Sequence, residues 1–200
     1  MLASITPLGE RGRGSNWSVT VMFFLLGSVS AGVLAGATLG LLGKALGIGG
    51  MGAEARVWIL VVAAIIGVAL DLGAFGVKLP GPRRQVNEQW LDVYRGWVYG
   101  IGFGFQLGLG IVTIVGSSAI YVAFLAAFLT ADPRAAVVIG VTFATLRGSS
   151  VLLVARVRRP ERLLLLGRRL SHLESAARSM GIVVQVATAV ASVLAVMLMS

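Results

Sequence analysis

Residues 96–130 read GWVYGIGFGFQLGLGIVTIVGSSAIYVAFLAAFLT, a run of 35 positions without one charged side chain. As one helix it would be about 52 Å long, far beyond a hydrocarbon core of about 30 Å. Splitting it into two crossings would invert everything that follows and carry the arginine-rich segment 156–178 across the membrane, against the positive-inside rule. One long element is therefore expected. It is either strongly tilted with its ends outside the bilayer, or broken near Gly116-Ser117-Ser118. A break at membrane depth is tolerated only where it is buried in protein or lines a wet cavity, and broken helices often mark transport sites.

Working outward, four further stretches reach the roughly 20 apolar residues that a spanning helix needs. They are 17–42, 57–77 (interrupted by Asp71), 135–155 (containing Arg147) and 180–199 (containing Gln185). The composition agrees. Of the 200 residues, 57% are hydrophobic and 12% charged, whereas a soluble domain is about 45–50% apolar and about 25% charged. An ordinary soluble domain, a disordered chain and a collagen-like repeat are excluded. Cysteine is absent, which excludes disulfides, thiolate metal sites, iron–sulfur clusters and thiol relays. The expected fold is all-α: a single polytopic membrane bundle over 1–200, with about five transmembrane helices. Arginine supplies 15 of the 17 cations, and with the Ala, Val and Gly usage this suggests a bacterial chain of the inner membrane. Glu10, Arg11 and Arg13 stand where the apolar region of a signal peptide would lie.

Charge sets the expected orientation. Thirteen Lys and Arg fall in the N-terminal segment, in 78–95 and in 156–178, against three (Lys44, Arg56, Arg134) on the other side, with Arg147 inside a span. The N-terminus is expected in the cytoplasm. In 160–178, Pro160 suits a first helical turn, and Leu163, Leu166, Leu170, Leu173 and Ala177 line one face. Arg158, Arg159, Arg162, Arg168 and Arg169 are left for anionic lipid headgroups, which predicts an amphipathic interfacial helix. Trp17, Trp58, Trp90, Tyr94, Trp97 and Tyr99 stand near span ends, as headgroup-level anchors do. The basic segment lacks interleaved aromatics, so no nucleic-acid partner is expected.

Gly32, Gly36 and Gly40 repeat every fourth residue in the first long span, and Gly100, Gly104 and Gly108 in the third. Small residues at this spacing let helix backbones approach closely, so these spans should pack along their glycine faces, against each other or against a partner. A homo-oligomer or a larger membrane complex is compatible with such grooves. Gly100-x-Gly102-x-Gly104 has no preceding strand and is no dinucleotide fingerprint; Gly43-Lys44 lacks the rest of a phosphate loop. His172 has no second ligand at metal spacing. Neither a metal nor another cofactor is expected.

Asp71 and Arg147 are the ionisable residues inside spans, and such residues are candidate functional groups. With spans starting at Val57 and Ala135, they fall about 21 Å and about 18 Å from the same side, and Gln106 lies about 15 Å from the other. Together with Ser149 and Ser150 they form the expected midplane polar site for a substrate or ion; the alternative is a buried Asp71–Arg147 pair that fixes helix register. No nucleophile–base pair accompanies them, so no enzyme is expected. The sequence reads as a small transporter or channel-like protein; the alternative is a non-catalytic structural subunit or assembly factor of a membrane complex.

Tyr94-Arg-Gly-Trp-Val-Tyr-Gly-Ile-Gly-Phe-Gly-Phe-Gln106, the Gly/Ser-interrupted stretch after it and the following span resemble the second half of the transmembrane electron carriers of cytochrome c biogenesis. Those carriers belong with the lysine-exporter type transporters in one broad superfamily. The resemblance implies two inverted repeats of three helices, with Ser4-Ile-Thr-Pro-Leu8 the remnant of a shortened first helix. Where the carriers break the long helix with a Pro-Cys motif, this chain has Val115-Gly-Ser-Ser118, so their thiol chemistry has no residue here to carry it.

Overall fold

A computed structural model describes residues 5–74, 76, 90–110, 117–155, 179–194 and 196–197, and these are helical with no strand among them. The first helix, α1 (Pro7–Gly12), begins where Thr6 accepts a hydrogen bond from the Gly9 N–H (3.1 Å) and Pro7 takes the first helical position. Both are favourable at a helix start. α2 (Trp17–Ala45) carries no charge before Lys44. It is followed by α3 (Ala53–Asp71), α4 (Trp90–Val93), α5 (Gly96–Gly108), α6 (Ala119–Leu129), α7 (Pro133–Gly148) and α8 (Ser179–Leu194). A 3-10 turn, Ser149–Val154, extends α7. Trp17–Ala45, Ala53–Asp71 and Pro133–Val154 are long and apolar enough to cross a membrane, which fits a membrane protein.

Two expected boundaries change. The second span is not 57–77: α3 starts at Ala53 and stops at Asp71, with Gly73 at φ +77° just beyond. A left-handed backbone cannot continue a helix and suits glycine. Asp71 is thus the last residue of its helix. The 96–130 stretch is two helices rather than one long tilted one; α5 ends at Gly108, and Gly110 turns left-handed (φ +73°). The last helix is described over 179–194 and again at 196–197, within the stretch expected to span. The amphipathic segment 160–178, with Arg158, Arg159, Arg162, Arg168, Arg169 and His172, lies outside the described residues.

The chain divides into two compact units: Met1–Val33, Gly81–Ile114 and Val141–Leu173 form one, and Leu34–Pro80, Val115–Gly140 and Glu174–Ser200 the other. The core of the first gathers Ile5, Val21, Phe24, Tyr99, Phe103, Val151 and Val154, with Trp17 and Trp90 packed against it. Here α5 lies on the first half of α2. A side chain at Gly100 would meet the Thr20 carbonyl at 2.6 Å, and one at Gly104 would run into the Phe24 carbonyl. Gly108 is against the Ser28 backbone, and the Ser28 hydroxyl donates to the Ala144 carbonyl of α7 (2.8 Å). In the second unit α3 lies along α6. Gly36 and Gly40 of α2 sit against Ala136 and Pro133 at the start of α7. Trp58, Ile59, Val62, Ile65 and Ile66 of α3, and Val183, Val184, Val186 and Val190 of α8, are exposed. Bare apolar faces of this kind suit a lipid solvent rather than water.

Candidate functional site

Among the described residues, each unit encloses one buried carboxylate. In the second unit it is Asp71, 6% exposed at the C-terminal end of α3. Its Oδ1 accepts from the backbone N–H of Ser118 (2.8 Å), and its Oδ2 from Ser117 Oγ (2.7 Å) and Gln185 Nε2 (2.8 Å). Ser118 stands at the N-terminus of α6, where a carboxylate is favourable because the first helical N–H groups lack internal partners. Ser118 Oγ lies 2.8 Å from the Gly67 carbonyl and 3.1 Å from Gln185 Oε1, two acceptors for its single proton. Gln185 also donates to the Gly181 carbonyl one turn back in α8 (3.3 Å). Two glycines make this closure possible. A Cβ at Gly67 would collide with Gln185 Oε1, and one at Gly181 would stand 2.6 Å from Ser117 Oγ.

In the first unit the carboxylate is Glu10, fully buried on α1. Tyr99 Oη lies 2.7 and 2.6 Å from its two oxygens, Thr20 Oγ1 donates at 2.7 Å, and Arg13 Nη2 at 2.6 Å. The Arg13 guanidinium also lies 5.7 Å from the centre of the Tyr99 ring. Burial works against the Arg13 charge, but hydrogen bonds to Glu10 and Tyr99 and the field of Glu10 outweigh it and raise its pKa above an arginine's usual value. Trp17 Nε1 donates to the Ile5 carbonyl (3.3 Å), so the chain before α2 is tied down at two points.

The predicted site residues fall in both units. An amide that reaches Asp71 is that of Gln185, in the same unit, while Gln106 is half-buried on α5 in the other unit. Arg147 is half-buried in that same unit, with its guanidinium 6.0 Å from the Phe143 ring centre. Ser149 donates to the Leu146 carbonyl (2.7 Å), and Ser150 is half-buried. Tyr99 is not a headgroup anchor; at 1% exposure it is a partner of Glu10, whereas Trp58, Tyr94 and Trp97 are about half exposed. Two signals could have found these groups. Gln185 is the sole amide or charge in α8, and the Thr6-Pro7 pair marks a helix start that brings Glu10 into the fold. Among the described residues no group of three His, Cys, Asp or Glu could hold a metal.

No protein-family model matches this chain, and no solved structure does. Among curated proteins, the methylamine utilization protein MauF of Methylorubrum extorquens is 31% identical to it over 144 residues, which cover 71% of the chain. Those residues cover 50% of MauF, so the chain spans about half the length of the curated relative it matches.

Proposed function

We propose that this chain is a multipass protein of the bacterial cytoplasmic membrane, with its N-terminus inside, and that it acts as a non-catalytic accessory or assembly component in the use of methylamine. The observation that carries the reading is the similarity to MauF over 144 residues. The chemistry of the buried carboxylates supports it. Glu10 and Asp71 are each surrounded by donors from their own unit, as groups that hold helices in register are. The resemblance to the transmembrane electron carriers supplies a scaffold of repeats, and without cysteine the chain would use it for assembly rather than electron transfer. Anionic lipids around the basic cytoplasmic segments and a larger membrane complex are the partners that fit.

Transport is the second reading, and one observation favours it. Asp71 is an ionisable group buried beside the interrupted third stretch, where Ser118 caps the start of α6, and broken helices with polar groups occur at transport sites. Deleting the gene in its own host separates the two. The accessory reading expects loss of growth on methylamine, unchanged growth on succinate, and unchanged initial uptake of labelled methylamine. Uptake lost together with growth would establish transport instead, and full growth on methylamine would remove both.

A further inference from the structure

We infer that the cleft between α1 and the start of α2 binds the phosphate group of a phosphate ester. The cleft has a volume of about 450 Å³, and Arg11, Ser15, Asn16 and Ser18 line it together with the apolar Pro7 and Trp17. All of these residues belong to one unit.

The lining is a set of donors. Arg11 brings a planar fork of N–H groups, and Ser15 and Ser18 bring hydroxyls. Asn16 Oδ1 is occupied by the Ser18 N–H (3.0 Å), which leaves its NH2 to donate. Among the described residues no carboxylate lines the cleft. The neighbouring acid, Glu10, is fully buried and turned to Tyr99, Thr20 and Arg13. Arg13 is committed to Glu10, while Arg11, two residues earlier, is exposed and has no ion pair among the described residues. One arginine thus neutralises the buried acid and the other is left facing a cleft of donors, an arrangement that selects an anion with several acceptor oxygens. Phosphate matches that demand bidentately. The volume exceeds what one phosphate fills, and the ring of Trp17 and the side chain of Pro7 offer apolar walls to the carbon of its ester. Two sources carry this group, a membrane phospholipid headgroup and a soluble phosphate.

The test uses the full chain in neutral detergent. Phosphatidylglycerol is titrated and bound lipid counted by native mass spectrometry, and inorganic phosphate is titrated separately by calorimetry. Arg11→Gln is compared with Arg134→Gln, which removes the same charge from an exposed position in the other unit. Loss of one charge-assisted site should weaken binding about tenfold or more in Arg11→Gln alone. If that loss appears with phosphatidylglycerol and inorganic phosphate does not bind, the lipid is the source. If inorganic phosphate binds and Arg11→Gln abolishes it, the source is soluble. Equal binding by Arg11→Gln and wild type, or equal loss in both variants, overturns the site. Should Arg11→Gln fail to fold, the double variant Ser15→Ala/Ser18→Ala decides by the same criteria.

Discussion

At the scale of single residues, the fold depends on two carboxylates that would be costly if left alone. Removing one partner of a buried charge costs about 3–5 kcal/mol when the other is left uncompensated, and removing one neutral donor costs about 1–3 kcal/mol. Tyr99→Phe deletes the hydroxyl shared by both Glu10 oxygens but leaves Thr20 and Arg13 in place. It should destabilise the protein by about 1–3 kcal/mol in denaturant unfolding followed by circular dichroism. Gln185→Leu takes a donor from Asp71 and an acceptor from Ser118. Its effect should be of similar size, and it should appear as faster hydrogen exchange along α8. Neither pairing was legible in the sequence. Tyr99 lies 89 positions from Glu10, and Gln185 lies 114 from Asp71. Helical periodicity relates neighbours within a turn or two and says nothing across such distances. Read alone, Glu10 was an obstacle to a signal peptide and Tyr99 an interface aromatic.

At the scale of elements, apolar run length placed the helices well and placed their ends poorly. The run after Val57 continues to Val77 with Asp71 as its one charge, yet α3 stops at Asp71 because Gly73 adopts a left-handed backbone. With 27 glycines in the chain, sequence does not tell which ones turn and which ones admit a neighbouring helix. Gly104 and Gly12 illustrate the difference. A methyl group at Gly104 would strike the Phe24 carbonyl of α2, while one at Gly12 meets nothing within 4 Å. Gly104→Ala should therefore cost about 1–3 kcal/mol, the range for overpacking a close contact. Gly12→Ala should be neutral or stabilising by up to about 1 kcal/mol, because it restricts the unfolded chain without a clash. Thermal midpoints of the two variants in detergent check the order.

At the scale of the whole molecule, charge distribution makes the most direct forecast. The absence of cysteine gives a clean background for single-cysteine labelling. Arg11→Cys should react with an impermeant maleimide only when the cytoplasmic side is opened, and Arg134→Cys should react in intact spheroplasts. Labelling of both from one side would contradict the proposed topology. The central claim is that Asp71 ties helices together in an accessory protein and is not a transport group. The most direct measurement is growth of the deletion strain on the amine when it carries Asp71→Asn, with the amount of folded membrane protein quantified in the same cells. Asparagine can still accept from the Ser118 N–H, but its NH2 then faces both Ser117 Oγ and Gln185 Nε2, which share the other carboxylate oxygen, so a loss of about 1–3 kcal/mol is expected. The account predicts that growth follows the amount of folded protein and returns when expression is raised. Growth that stays absent while the folded variant matches the wild-type amount would contradict it and make Asp71 a working group.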